Sequence, residues 1–105
     1  MPQFTVYRNK NARSKTTFPF LVDVQSDLLD DLQTRVVIPL SKAAGLTKKP
    51  VTQLTPVLEF QGEGHVLMTP QLAGVAQSEL GPAVGSLADR RDAILAAIDF
   101  LITGF

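Results

Sequence analysis

Residues 86–105 read SLADRRDAILAAIDFLITGF, and this stretch decides the fold because it has the pattern of one amphipathic helix. Ser86 offers a hydroxyl to the free N–H groups of a first turn, and Asp89 follows at the spacing of a capping box. Gly104 suits the left-handed conformation that ends many helices. We therefore predict a C-terminal helix over about residues 86–104.

The apolar residues of this stretch recur at spacings of three, four and seven, which places them on one side of a helix. They are Leu87, Ile94, Leu95, Ile98, Leu101 and Ile102. Such a stripe normally packs against a core. Phe100 lies off the stripe, and Phe105 is a large apolar residue at a terminus, where chains usually fray. The end of the helix is therefore predicted to offer an apolar patch to a partner or to a second copy of the chain.

Short strand-like segments precede the helix. Apolar runs bounded by turn residues predict strands at residues 3–8, 18–25, 35–40, 54–60 and 65–69. The last two flank residues 61–64, QGEG, and are predicted to form a β-hairpin with a four-residue turn. Proline and glycine residues divide residues 70–84 into short strands or turns. Strands followed by one helix predict a mainly β domain spanning residues 1–105, a small barrel with the helix packed on it.

Two polar segments between the strands are predicted to be loops. Residues 9–17, NKNARSKTT, carry three cationic residues, which is typical of a solvated loop or of a docking surface for an acidic segment. Residues 26–33, SDLLDDLQ, allow a short helical turn capped by Ser26, although it is too short to be stable alone. Either way, the segment presents Leu28 and Leu29 between acidic neighbours.

The composition excludes several classes of function. Ten basic and ten acidic residues cancel, so the chain has no overall field that attracts nucleic acid. The absence of cysteine excludes disulfides and thiolate chemistry and fits a reducing compartment. No run approaches the roughly 20 apolar residues that span a bilayer, and residues 1–10 lack the apolar run of a signal peptide. We therefore expect a cytoplasmic protein that does not contact the membrane.

The chain offers few groups for catalysis or for binding a metal. His65 is the single histidine, and a metal site needs further clustered ligands, so we predict no catalytic residue, no metal and no cofactor. Residues 61–64 lack the third glycine and the helix of a phosphate-binding loop. The enzymatic alternative is RNA cleavage, which requires folding to bring Asp23, Arg35 and His65 together.

Short motifs follow one another along nearly the whole chain. They are QFTVY at residues 3–7, VDVQSD at 22–27, VIPL at 37–40, Leu-x-Pro-Val at 54–57, Met-Thr at 68–69, and a helix that ends in glycine and one apolar residue. This order resembles the CcdB family of bacterial toxins. The resemblance implies an SH3-like β-barrel with a long C-terminal helix that acts as a homodimer.

The same resemblance implies a function and a set of partners. CcdB-like toxins are not enzymes; they bind the A subunit of DNA gyrase and trap the cleaved gyrase–DNA complex. A CcdA-like antitoxin neutralises them, and the toxin–antitoxin complex represses its own operon, so DNA is contacted only through the antitoxin complex. The two alternatives are a barrel-fold mRNA endoribonuclease toxin and a structural or regulatory homologue that has lost toxicity.

The family's gyrase-contacting surface maps, position by position, to the helix and to the loop after VDVQSD. It comprises Leu28, Leu29, Arg91, Asp92, Asp99, Ile102, Thr103, Gly104 and Phe105. The dimer interface is expected to involve Ile98, Leu101, Ile102 and Phe105. Thr103 stands where the best-known family pattern has Trp, a frequent energetic anchor, so gyrase binding is expected to be weaker or to shift to Phe105. Residues 9–17 are longer than in that pattern, and this difference bears on which antitoxin is recognised.

Overall fold

The computed structural model describes residues 2–45 and 53–104, which form a curled antiparallel sheet with one helix packed on it. The strands are β1 Thr5–Asn9, β2 Phe20–Asp23, β3 Thr34–Lys42, β4 Val57–Phe60, β5 Glu63–Leu67, β6 Ala73–Ala76 and β7 Leu80–Ser86. The helix α1 covers Arg91–Thr103. Within the described ranges, no helix is long and apolar enough to cross a membrane.

The long strand β3 organises the sheet. The strand order is β4-β5-β3-β2-β1-β7, and β6 also pairs with β3. Along β3, residues 34–37 pair with β6 and residues 40–42 pair with β5, so its partner changes at Pro39. The carbonyl of Pro39 accepts the N–H of Met68 on that same side. Proline has no N–H to donate. At position 39 this removes no ladder bond, because the residue lies between the part of β3 that pairs with β6 and the part that pairs with β5.

Two apolar clusters lie on opposite faces of the sheet. Successive side chains of a strand point to opposite faces, so Val6 and Val22 belong to the larger cluster and Tyr7 and Leu21 to the smaller one. The larger cluster lies between the sheet and α1, and its buried members are Phe4, Val6, Phe20, Val22, Val24, Ile38, Leu40, Leu58, Phe60, Leu67, Leu87, Ile94 and Ala97. The smaller one consists of Tyr7, Leu21, Val37 and Leu80. The sheet is therefore covered on both faces around β2.

The predicted hairpin is confirmed, but its turn is shorter than expected. Glu63 and Gly64 already pair with Phe60 and Glu59, so the turn contains two residues and not four. Gln61 has φ 53° and Gly62 has φ 79°, the positive values that a type I′ hairpin turn requires at both central positions. The preceding strand is also shorter than predicted, since it begins at Val57.

The α-helix begins at Arg91, so the predicted start at Ser86 is wrong. Ser86 is the last residue of β7 and pairs with Thr5. Its hydroxyl does accept a backbone hydrogen bond, at 3.1 Å from the N–H of Ala88, but Ala88 opens a 3₁₀ turn at Ala88–Arg90 that precedes the helix. The predicted C-terminal end is confirmed, because Gly104 is left-handed with φ 80°.

These elements confirm a mainly β fold with one C-terminal helix, and a sheet that curls into a half barrel. The segment 70–84 contains short strands and turns, as its proline and glycine residues predict. The SH3-like class and the homodimer stay predictions.

Candidate functional site

The last turn of α1 carries apolar side chains that the described part of the chain leaves uncovered. Ile94 and Ala97 are fully buried against the larger cluster, and Ile98 packs against it in part. Further along the same stripe, Leu101 is 38% exposed and Ile102 is 73% exposed. The apolar stripe therefore runs past the edge of the core. Exposed apolar patches of this kind mark interaction sites.

Backbone hydrogen bonds close this end of the helix, which we call the helix tip (residues 99–104). The N–H of Gly104 donates to the carbonyl of Phe100 at 3.0 Å. The hydroxyl of Thr103 donates to the carbonyl of Asp99 at 2.7 Å, so its polar group is turned back onto the helix. Asp99, Thr103 and Gly104 are all exposed. Phe105, which belongs to both the predicted gyrase site and the predicted dimer interface, lies outside the described residues.

A second exposed apolar site is the short segment of residues 26–31, which we call the Leu28 loop. It contains a 3₁₀ turn at Asp27–Leu29, and the hydroxyl of Ser26 accepts the N–H of Leu28 at 3.2 Å. The capped turn that the sequence allowed is thus present. Leu28 is 94% exposed and Leu29 is 50% exposed, so the turn presents both leucines as predicted.

A buried ion pair lies beneath this loop. Both Nε and Nη2 of Arg35 contact Oδ2 of Asp23, at 2.8 and 2.7 Å, and both side chains are fully buried. The third arm of the guanidinium, Nη1, contacts Oδ1 of Asp30 at 2.7 Å. Asp30 belongs to the Leu28 loop, and its side chain is 43% exposed. Arg35 therefore joins a carboxylate inside the fold to a carboxylate on the exposed loop.

The two carboxyl groups differ in their electrostatic surroundings. Burial raises the pKa of Asp23, although the hydrogen bonds from Arg35 and from the N–H of Gln25 oppose this effect. The hydrogen bond from Arg35 lowers the pKa of Asp30. Burial by itself lowers the pKa of a guanidinium, but the hydrogen bonds to Asp23 and Asp30 reverse this effect and raise the pKa of Arg35. Arg35 is therefore held protonated between the two groups.

Further hydrogen bonds fix the rest of the Leu28 loop. The side-chain amide of Gln25 donates to the carbonyl of Leu29 at 2.9 Å, while its oxygen accepts the N–H of Val36 at 3.1 Å. The N–H of Gln3 donates to Oδ1 of Asp27 at 2.7 Å. The loop is thus tied to two neighbouring parts of the fold, the start of β3 and the segment before β1.

The segment before β1 also connects the loop to the start of the helix. Phe4 is buried and has φ 70°, an unusual conformation for a bulky residue. Its N–H donates to the carbonyl of Asp23 at 2.6 Å, and its carbonyl accepts the N–H of Leu87 at 2.8 Å. Because Leu87 leads into α1, hydrogen bonds through Gln3 and Phe4 connect the Leu28 loop with the segment that precedes the helix.

The predicted gyrase-contacting residues therefore fall into two groups within one chain. Arg91 and Asp92 are exposed in the first turn of α1, which follows the Leu87 contact with Phe4. Ile102 lies at the other end of the helix, about 16 Å away at 1.5 Å per residue. The helix tip is thus separated from Arg91 and Asp92 by nearly the full length of α1.

The three residues of the ribonuclease alternative do not come together. Asp23 lies opposite Val37, whereas His65 lies opposite Lys42. Five residues of β3 separate these positions, which is about 17 Å along an extended strand. Asp23, Arg35 and His65 are all buried, and the first two are paired with each other. The site that this alternative requires is therefore not formed.

Residues 9–17 form one wall of a surface cavity of about 400 Å³. Its floor is apolar, with Phe18, Leu21, Pro39 and Val75, and its rim includes Lys10 and Glu79. Sequence reasoning predicted the loop but not the cavity, because the opposite wall comes from residues 75–79, far along the chain.

The fold and its surface define a class of protein, a small β domain that presents exposed apolar side chains on a fixed loop and on a capped helix end. A family model described as CcdB protein matches residues 3–104, nearly the whole chain. The chain therefore belongs to the CcdB family, which confirms the resemblance seen in its motifs. Membership of this family makes it a toxin of a toxin–antitoxin system.

Proposed function

We propose that this CcdB-family toxin binds the A subunit of DNA gyrase and traps the cleaved gyrase–DNA complex. The observation that carries the proposal is the helix tip, where Ile102 is 73% exposed at the end of a stripe whose earlier members are buried. The proposed contacts are Leu28, Leu29, Arg91, Asp92, Asp99, Ile102, Thr103, Gly104 and Phe105. The toxin acts by binding and not as an enzyme.

The physical character of the two patches supports a binding role. Fully burying a leucine or isoleucine side chain contributes about 1.5–3 kcal/mol, so a few such contacts account for a large part of a specific affinity. Both patches are held in one conformation by hydrogen bonds, which reduces the entropy that binding must remove. An exposed carboxylate at Asp99 adds a group that selects a polar or basic partner surface.

We propose further that the protein is an SH3-like homodimer, with Ile98, Leu101, Ile102 and Phe105 at the interface. Ile98 is already partly packed against its own core, so Leu101 and Ile102 have more surface to offer a second copy. A dimer also carries two helix tips and two Leu28 loops, so that one gyrase surface can meet patches from both copies. Sedimentation at several protein concentrations tests the dimer; a monomer at all of them would contradict it.

The remaining proposed partners follow from the toxin–antitoxin assignment. A CcdA-like antitoxin neutralises the protein in the cytoplasm, and the complex of the two represses its own operon. The toxin contacts DNA only through this complex, in keeping with its zero net charge.

The test is DNA cleavage by purified gyrase with the full chain and with a variant lacking residues 103–105. The full chain should accumulate double-strand breaks, and the truncated variant should not, since the last turn adds little to the core. Val57→Ala is a matched control, because Val57 is also an exposed apolar residue but lies on the edge strand β4. Breaks that persist with the truncated protein would contradict the site, and no breaks with the full chain would contradict the function. Incubation with RNA then separates a ribonuclease from a silent homologue.

A further inference from the structure

The Leu28 loop presents an almost fully exposed leucine. A loop this short adopts one conformation only if other contacts stabilise it. A turn of three residues contributes little stability of its own. Leu28 packs on nothing that would hold it, since it is 94% exposed. The conformation of the loop must therefore come from the polar contacts at its base.

Arg35 makes the innermost of these contacts. Two of its nitrogens contact the single oxygen Oδ2 of Asp23, and both side chains are fully buried. One guanidinium and one carboxylate already neutralise each other. The burial of Arg35 is thus compensated by Asp23, and a second carboxylate is not needed to balance its charge.

The contact between Nη1 of Arg35 and Asp30 therefore contributes more to the conformation of the loop than to the stability of the core. At 2.7 Å it is a charge-assisted hydrogen bond, which is stronger than a neutral one. Of the other tethers, the bond from Gln25 to Leu29 is neutral, and the bond from the N–H of Gln3 to Asp27 has one charged partner, whereas both Arg35 and Asp30 are charged. Asp30 directly follows Leu28 and Leu29 in the chain, so it fixes the exit of the turn.

We infer that Asp30 and Arg35 are positioning residues for gyrase binding: the buried guanidinium holds the exposed loop so that Leu28 and Leu29 meet the partner in one conformation. This inference rests on the proposed function. Neither residue needs to touch gyrase. Their effect on affinity comes from the entropy that an unfixed loop loses on binding.

Asp30→Ala and Asp31→Ala are the matched pair of variants that tests this inference. Both remove one exposed carboxylate from neighbouring positions, so they change the net charge equally. Asp30→Ala should raise the amide hydrogen-exchange rates of residues 28–32 and weaken the affinity for the gyrase A subunit about three- to tenfold. Asp31→Ala should change neither. Asp30→Asn keeps an oxygen that accepts from Arg35, and should recover part of both effects.

The outcomes distinguish this inference from the proposed function. Unchanged exchange rates in Asp30→Ala would overturn the positioning role, whatever happens to gyrase. A loosened loop with full gyrase affinity, while Leu28→Ala binds weakly, would also overturn it and leave the proposed function intact. Full affinity in Leu28→Ala would remove the proposed contact itself, and the inference would fall with it. A thermal unfolding curve for each variant shows that the comparison is made between folded proteins.

Discussion

The Leu28 loop and the helix tip both expose apolar side chains, but they are held in different ways. Contacts that involve side chains fix the loop: Arg35 contacts Asp30, Gln25 donates to the carbonyl of Leu29, and Asp27 accepts the N–H of Gln3. The tip is fixed by the helix to which it belongs and by the backbone hydrogen bond of Gly104. We therefore expect a single side-chain substitution to loosen the loop, whereas loosening the tip should require a change in its backbone conformation.

The largest effect is expected from removing the charge beneath the loop. Arg35→Met leaves the carboxylate of Asp23 buried without its partner, which should lower the free energy of unfolding by about 3–5 kcal/mol. Urea denaturation measures this loss. The double variant Asp23→Leu with Arg35→Met should recover much of it, because no charge is then buried alone. Equal losses in the single and double variants would contradict this account of the pair.

The next largest effect on stability is expected at one of two isoleucines on the same helix. Ile94 is fully buried, so Ile94→Ala should lower the free energy of unfolding by about 2–5 kcal/mol. Ile102→Ala changes a residue that is exposed in the single chain, so it should alter the stability of the monomer by less than about 0.5 kcal/mol. Thermal unfolding of both variants tests the boundary between core and surface along α1. A large loss of stability in Ile102→Ala, at a protein concentration where the chain is monomeric, would contradict an exposed helix tip.

A smaller effect should come from two glycines with the same conformation. Gly104 has φ 80° and Gly62 has φ 79°, and an added Cβ meets no atom at either position. Alanine should therefore cost about 1–2 kcal/mol at each site through backbone strain alone. Gly104→Ala should also weaken gyrase binding because it frays the tip, while Gly62→Ala, in the hairpin turn, should not. Similar gyrase affinities for the two variants would argue against a fixed tip.

The smallest effect is expected in how the free energy of unfolding depends on pH, through the carboxyl group of Asp30 in the Leu28 loop. The pKa of Asp30 is lowered in the folded state, so its contact with Arg35 stabilises the fold above the ordinary value of 3.8. This contribution disappears as the pH falls through the lower, folded-state pKa. The difference in unfolding free energy between the natural chain and Asp30→Ala should therefore be full at neutral pH and shrink below that ordinary value. Asp23 shifts in the opposite direction, but it is present in both proteins. A difference that stays constant down to acidic pH would contradict the charge-assisted contact.

The sequence predicts the local elements well because they depend on local patterns. Alternating apolar residues predict β1 and β2, and the glycine at position 104 predicts the end of the helix. The predicted helix start is wrong because the hydroxyl of Ser86 can accept the N–H that opens a 3₁₀ turn as well as one that opens an α-helix. What decided between them was the pairing of Ser86 with Thr5, a contact between distant residues that no local pattern reports.

The buried ion pair beneath the Leu28 loop is also absent from the sequence prediction, because it joins residues that are distant in the chain. The sequence pattern assigns Asp23 only to a candidate catalytic group, although Asp23 lies on the same apolar face of β2 as Leu21. Arg35 likewise lies on the same face of the neighbouring strand β3 as Val37. Opposite charges at buried positions of two consecutive strands indicate an ion pair, and that signal was available. The contact between Arg35 and Asp30 depends on the conformation of the loop, which the sequence pattern does not predict.

The most direct test of the central claim is the affinity of the gyrase A subunit for two matched variants. Ile102→Ser and Val57→Ser each place a hydroxyl at an exposed apolar position, one on the helix tip and one on the edge strand β4. If Ile102 is buried by gyrase, Ile102→Ser should bind about ten- to a hundredfold more weakly, while Val57→Ser binds as the natural chain does. Equal affinities for both variants and the natural chain would contradict a gyrase-binding surface at the end of the helix.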